Sequence, residues 1–231
     1  MLKRTRANAA FAIRAWMFDR FGFQKMLDRR EMNELEDHMG FRGQIPEHRR
    51  FQIDFLKSQG LKPQNTLLEI GCGPMTAGLP LIEYLEPDNY VGVDVRPEVL
   101  HLSWQQIGKA GLSAKNPRLI TSSTFGDESL GDLVFDYILT FSVLFHLSDE
   151  ILDRWFAMVA KRGGVAYANV NTTMDSSTWL QFPFLKRTVD TYQNMAAKHG
   201  LKTENLGTME ALGFKLPFDD RLGALLRLTP A

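Results

Sequence analysis

Leu67-Leu68-Glu69-Ile70-Gly71-Cys72-Gly73-Pro74 decides the fold of this chain. A short apolar run enters two glycines separated by one residue, and residues 76–86 then take up helical spacing. The pattern predicts a strand, a tight turn and a helix. Glycine at such a turn lets the backbone bend sharply and lets a ligand approach without meeting a Cβ. Working outward, short apolar runs at 90–94, 118–121, 135–140 and 165–170 read as further strands. The amphipathic stretches 97–111 and 149–161 are long enough to be crossover helices between them. Strands that alternate with helices of this length predict parallel βαβ units. Ser148 is placed to cap the second crossover helix, with Asp149 and Glu150 at its positive end, and Gly163-Gly164 stops it.

Asp94 ends the second strand, twenty-five residues after Glu69. In βαβ folds an acidic side chain at that place accepts both hydroxyls of a ribose, and the ligand lies beyond the carboxyl ends of the strands. The nucleotide is chosen by charge. A pyrophosphate site needs a third glycine, so that the helix N-terminus can approach the phosphates, yet Thr76 stands there and the next glycine is Gly78. Glu69, two residues before the loop, repels a pyrophosphate but suits a ligand that carries an ammonium group. S-adenosylmethionine (SAM) carries one, and a nicotinamide dinucleotide does not.

Outside this core, residues 1–60 read as helices with two breaks. Phe11, Ile13, Trp16, Met17, Phe21 and Phe23 lie among charged residues as in an amphipathic helix, and Gly40, Gly43 and Pro46 mark a loop. A helix is predicted over 46–59, ending at Gly60. In the last quarter a helix is expected around 184–199, and strands near 203–208 and 223–229 flank a turn-rich loop with Pro217 and Asp219-Asp220. The organisation expected is one SAM-binding domain, 61–231, behind an N-terminal helical extension or lid, 1–60.

Composition narrows the function. Twenty-seven basic and 27 acidic side chains leave no net charge, so the chain has no global field to attract nucleic acid or an anionic membrane. Cys72 is the only cysteine, which excludes a disulfide framework or a cysteine zinc site and makes the cytoplasm the expected compartment. Arg14 interrupts the apolar stretch after Lys3, Arg4 and Arg6, so no signal peptide is read there, and no run reaches the length of a membrane span.

Leu68-Glu69-Ile70-Gly71-Cys72-Gly73-Pro74 resembles the first motif of class I SAM-dependent methyltransferases, and Val91-Gly92-Val93-Asp94-Val95 resembles their second. The run from Phe135 to Leu147 is similar to the fourth-strand region, and Gly163-Gly164-Val165 to the turn into the fifth strand. The resemblance covers roughly residues 60–230, with the motifs in order. It implies an α/β fold with a doubly wound, mostly parallel seven-stranded sheet and an antiparallel C-terminal strand. It also implies that Glu69, Gly71 and Gly73 line the methionine and ribose portion of SAM, within a loop completed by Cys72, Pro74 and Gly78. Asp94 would hold the ribose hydroxyls, Val95 would lie beside the adenine, and Ser123 or Thr124 would meet the adenine edge, with Asp127 as a more distant acid. Thr140 and Phe141 would flank the sulfonium. Met75 stands where many members of the family have a third glycine.

Several residues carry two readings. His146, after the fourth strand, is either a structural histidine packed before a helix or a general base for an oxygen nucleophile. Arg42, His48, Arg49 and Arg50 form a solvated helix face, unless one of them, Arg49, folds over the site and holds the SAM carboxylate in a bidentate pair. Cys72 reads as a small space-filler and Asp136 as an organiser of the strand start. The fourth-strand motif Thr-Phe-Ser-Val lacks the Asn/Asp-Pro-Pro-Tyr/Phe signature of amino-directed DNA methyltransferases, and one cysteine leaves no Pro-Cys nucleophile. The expected activity is methyl transfer to an oxygen or nitrogen of a small molecule, without nucleic-acid partner or stable membrane insertion and with the oligomeric state open. The rival readings are a non-catalytic SAM-binding module that docks a partner, and a nicotinamide-dependent oxidoreductase.

Overall fold

All four residues of the first strand, β1 (Leu67–Ile70), are buried, because parallel strands flank it on both sides. In the computed structural model the described residues are 45–173, 177–179, 182–214 and 223–231. The predicted N-terminal helix around Phe11 to Phe23, Arg42 with the glycines beside it, and the loop at Pro217 to Asp220 lie outside them.

Element order follows the βαβ pattern. Helix α1 (Ile45–Ser58) precedes β1, and α2 (Gly78–Tyr84) leads to β2 (Tyr90–Asp94). Helix α3 (Pro97–Lys109) leads to β3 (Arg118–Thr121), and the short α4 (Asp127–Leu130) to β4 (Tyr137–Thr140). Helix α5 (Asp149–Arg162) and β5 (Val165–Val170) follow. A small hairpin, β6 (Ser177–Trp179) with β7 (Phe182–Phe184), precedes α6 (Val189–Lys198), β8 (Leu201–Thr208) and β9 (Ala224–Pro230). The main sheet has seven strands in the order β3-β2-β1-β4-β5-β9-β8. Strands β1 to β5 are parallel, and β9 runs antiparallel to both β5 and β8. The expected doubly wound sheet with an antiparallel last strand is therefore the observed one. Chain order reverses between β1 and β4, and connections diverge there to leave a crevice at the strand tips.

The two faces of the sheet differ in chemistry. Leu68, Ile70, Ile138, Ala166 and Ala168 face Trp155 and Phe156 of α5 and Tyr192 and Ala196 of α6 in one apolar core. Strand alternation puts Glu69, Tyr90, Tyr137, Phe141, Tyr167 and Asn169 on the opposite face. There Phe55 of α1 meets Tyr167 edge-on, with ring centroids 5.2 Å apart. The described residues all belong to one unit, Gly43–Ala231, so α1 is part of it. Among the described residues no helix is long and apolar enough to cross a membrane.

Local chemistry sets the ends of these elements. Ser148 caps α5 by accepting the Ile151 N–H, as predicted. Gly164 has φ +71, and a Cβ there would lie 2.1 Å from the Phe135 carbonyl, so no other residue fits the turn into β5. Strand β4 starts at Tyr137 rather than 135, because the Phe135 N–H bonds the Arg162 carbonyl and the Asp136 carboxylate accepts from the Thr66 N–H and hydroxyl. Asp136 thus organises the strand start. Helix α6 begins five residues later than predicted: 182–184 pairs in the hairpin, and Thr188 caps the helix by accepting the Thr191 N–H.

Candidate active site

The loop after β1 is built around two anchors. Gly71 (φ +74) donates its N–H to the Val93 carbonyl at 2.7 Å, and a Cβ on it would come within 2.2 Å of Val143 Cγ2. Gly73 donates its N–H to Asp94 Oδ2 at 3.0 Å, and its carbonyl accepts the Ser103 hydroxyl at 2.7 Å. Met75, in the place of the family's third glycine, keeps the left-handed backbone that glycine would take, at φ +66. Its side chain is fully buried and offsets that strain by packing. Gly78 makes room for it, since a Cβ there would meet Met75 Sδ at 2.5 Å and the Tyr90 hydroxyl at 2.7 Å. Gly78 therefore serves the packing beneath the loop. Cys72 is buried in the same loop, and burial raises its thiol pKa well above the ordinary range, as suits a space-filler.

Asp94 is 4% exposed and well oriented. Besides the Gly73 N–H it accepts the Arg96 N–H at 3.0 Å and the Arg96 Nε–H at 3.2 Å, both on Oδ1. Beyond it opens a cavity of about 400 Å³ lined by Val95, Thr121, Ser122, Ser123, Thr124, Glu128 and Ser129. Val95 is 52% exposed, an unusual state for valine and a ready face for a flat base. Ser123 and Thr124 are in this lining, as the resemblance implies. The acid there is Glu128, however, because Asp127 is turned away to Lys161 at 2.8 Å and Arg162 at 2.6 Å. The Ser122 hydroxyl fixes the loop by accepting the N–H groups of Thr124 and Gly126.

Glu69 is buried under the glycine loop, where the Tyr90 hydroxyl donates to its Oε2 at 2.6 Å. Burial pushes its carboxyl up to about 8 from an ordinary 4.5, the Tyr90 bond opposes the shift, and the Asp94 charge adds to it. In the unfolded chain Glu69 ionises near 4.5, so between that pH and about 8 the folded state holds the extra proton. Stability of the ligand-free protein should therefore fall as pH rises through this window, by up to about 1.4 kcal/mol per unit. A cationic ligand beside Glu69 reverses the preference, so binding at neutral pH should release a proton and tighten as pH rises toward 8. Melting curves across pH 5 to 9, with Glu69→Gln flattening the slope, and titration calorimetry in buffers of different ionisation enthalpy check both parts.

Arg49 lies over the loop, its Nε–H bonding the Thr76 carbonyl at 3.0 Å. Arg50 is on the exposed side of α1, and His48 is buried against Phe141. At the end of β4, Thr140 is turned toward α5 and accepts the Trp155 Nε1–H at 3.1 Å, while Phe141 faces α1. Of the two, only Phe141 extends toward the α1 side of the strand tips. His146 ends a 3-10 turn, Leu144–His146, and its Nδ1 lies 2.7 Å from the Pro183 carbonyl. A carbonyl can only accept, so Nδ1 carries the proton and Nε2 the lone pair. Burial lowers its pKa below the ordinary histidine range, the Pro183 bond opposes this and the Arg96 charge adds to it. Pro183 and Phe184, which packs on His146 with centroids 5.6 Å apart, belong to the hairpin that the sequence reading missed.

Arg96, Glu128, Tyr90, Ser142 and Asn169 were also missed. Tyr90 starts a strand and reads as core until its hydroxyl is traced to Glu69. Arg96 was the most accessible of these by sequence, being two residues past Asp94 and able to fold back on it.

A cavity at the tips of β2 and β3, a buried carboxylate ending β2 and a buried carboxyl on β1 beside the switch point make up the arrangement that the resemblance to class I methyltransferases implies for SAM. Comparison with known proteins gives the same class. Residues 68–165 match the family model of a methyltransferase domain. No curated protein sequence matches the chain. Magnesium protoporphyrin IX methyltransferase from Synechocystis PCC 6803 with bound SAM is similar in structure, with a TM-score of 0.60 at 12% identity over 95% of this chain and 96% of that one. A SAM-dependent methyltransferase from Clostridium acetobutylicum superposes with a TM-score of 0.61 at 12% identity, covering 96% and 99% of the two chains. Residues 68–165 are a methyltransferase domain, so the chain is an enzyme that uses SAM, and its fold is the one seen in class I SAM-dependent methyltransferases.

Proposed function

We propose that the enzyme transfers the SAM methyl group to an oxygen or nitrogen of a small molecule, with His146 as the general base. The observation that supports this reading is the His146–Pro183 bond, which puts the ring proton on Nδ1 and the basic lone pair on Nε2, in a ring that burial keeps neutral. When bound, SAM supplies a methyl carbon made electrophilic by its positively charged sulfur. Asp94 would hold the ribose hydroxyls, Val95 and Glu128 the adenine, and Glu69 and Arg49 the amino and carboxylate ends of the methionine. The acceptor's lone pair forms the new bond to the methyl carbon, the C–S electron pair stays on sulfur, and the acceptor's proton passes to His146 Nε2. Alignment supplies most of the acceleration, since well-oriented reactants reach effective molarities of about 10⁵–10⁸ M. A zero net charge favours a small molecule over a nucleic acid. With Cys72 its only cysteine, the chain is assigned to the cytoplasm.

The test is transfer from tritiated SAM to parallel pools of hydroxyl- and amine-bearing small molecules, RNA and DNA oligomers, and unfolded protein. Label is expected in the small-molecule pool. Label confined to the nucleic acid or protein pools would overturn the substrate class.

A further inference from the structure

A cluster of buried polar groups on the α1 face of the sheet keeps hydrogen-bonding capacity that the cofactor reading does not use. Asn169 is fully buried, and its Oδ1 accepts the Ser142 N–H at 2.6 Å, which holds Ser142 at φ +58 just past β4. Asn169 Nδ2 and Ser142 Oγ have no hydrogen-bond partner among the described residues. Gln52 is 2% exposed; its amide nitrogen meets His48 Nδ1 at 2.5 Å, and its Oε1 has no partner among the described residues. If the amide is turned over, Nε2 takes the place of Oε1, so Gln52 keeps one unused polar atom either way. Buried polar groups are nearly always paired, and several left open in one place call for an explanation.

Periodicity brings these groups together. On α1, Gln52 lies one turn past His48 and one turn before Phe55. His48 meets Phe141 edge-on with centroids 5.6 Å apart, and Phe55 meets Tyr167 at 5.2 Å. Phe141 immediately precedes Ser142, and Tyr167 lies two residues before Asn169 on the same face of β5. These contacts put Gln52 on the side of α1 that faces the ends of β4 and β5, where Ser142 and Asn169 sit. Aromatic rings surround it: Phe214 lies 5.0 Å from His48, and Phe51 4.8 Å from Phe214. Burial pushes His48 down to about 4, so the cluster carries no charge at neutral pH.

We propose that Gln52, Ser142 and Asn169, walled by His48, Phe141 and Phe214, form the methyl-acceptor subsite, and that it takes a neutral aromatic molecule bearing a hydroxyl group. Asn169 Nδ2 donates to the hydroxyl oxygen and Gln52 Oε1 holds its hydrogen while the molecule binds, before the proton passes to His146 during transfer, and the ring packs against the aromatic edges. Among the described residues of the cluster no cation is present to hold a carboxylate, and a plain hydrocarbon leaves the polar atoms unpaired. This inference rests on the methyltransferase reading, which names the transfer step but not the acceptor.

The experiment is titration of phenol, toluene and benzoate into the full chain saturated with S-adenosylhomocysteine (SAH), followed by ligand-observed NMR. Phenol is expected to bind at least tenfold more tightly than toluene or benzoate. Gln52→Met should weaken phenol about tenfold, leave toluene and SAH binding unchanged, and leave the melting temperature unchanged or higher, because it removes an unpaired carbonyl without emptying space. Ser142→Ala, which spares the backbone bond to Asn169, should weaken phenol at least threefold and serves if Gln52→Met does not fold. Phenol no better than toluene, or phenol binding indifferent to both variants, overturns the subsite. Failure of SAH itself to bind overturns the methyltransferase reading instead, and the same three titrations on the ligand-free chain then decide the subsite by the same criteria.

Discussion

Asp94→Ala is expected to weaken SAH binding by roughly 100-fold or more. The carboxylate is already buried and aimed by three donors, the Gly73 N–H and the Arg96 N–H and Nε–H. Of a carboxylate's roughly four acceptor sites these donors take three, so two ribose hydroxyls would fill the open one and displace the Arg96 Nε–H from another; hydrogen bonds to a charged group are each worth about 1.5–3 kcal/mol. Two of them at the low end give about 3 kcal/mol, which is the 100-fold figure. Truncation also frees the Gly73 N–H, so the glycine loop loses an anchor and the loss should exceed the ribose contribution. Asp94→Asn retains one side-chain oxygen and should lose less, about tenfold. Calorimetric titration of both variants, with circular dichroism to show that the sheet is intact, makes the comparison. Affinity within threefold of the native protein for Asp94→Ala would remove Asp94 from the ribose site.

His146→Gln should lower kcat by roughly 10²–10⁴-fold, the range a positioned general base supplies, with SAH affinity within twofold. Glutamine preserves a donor toward the Pro183 carbonyl but has no basic lone pair at Nε2, so the geometry of the 3-10 turn survives while the proton acceptor does not. The pH profile separates a base from a merely structural histidine. A base acts only when neutral, so kcat of the native enzyme falls as pH drops through its pKa. Burial lowers that pKa, which places the acid limb below the ordinary histidine range. Loss of that limb in His146→Gln identifies its source; a variant with full kcat and the same limb would make His146 structural. The base is assayed with whichever acceptor takes label from tritiated SAM.

The sheet was legible because periodic burial is written along the chain. Strands β2, β3 and β5 begin and end where the runs at 90–94, 118–121 and 165–170 do: β2 and β5 lie inside the sheet and are almost wholly buried, while the edge strand β3 buries Ile120 between the exposed Arg118 and Thr121. The glycine loop and Asp94 were legible for a related reason: backbone turns and buried charges admit few residue types, so their identity betrays their place. The hairpin at 177–184 was not, because its strands are three residues long and carry no alternation to read. Its contribution to the site, the Pro183 carbonyl against His146, depends on a contact across 37 positions.

From its residues alone, then, the chain determined a doubly wound sheet with a glycine loop and a buried carboxylate at its strand tips, because spacing and side-chain type constrain these locally. Tertiary packing decided the rest. It set the Pro183 carbonyl against His146 Nδ1, drew Asp127 to Lys161 and Arg162 while Glu128 lines the cavity beside Val95, turned Thr140 to Trp155, and joined Ser142 to Asn169. Each depends on which groups meet across the fold and on the burial that results, and no local pattern encodes either.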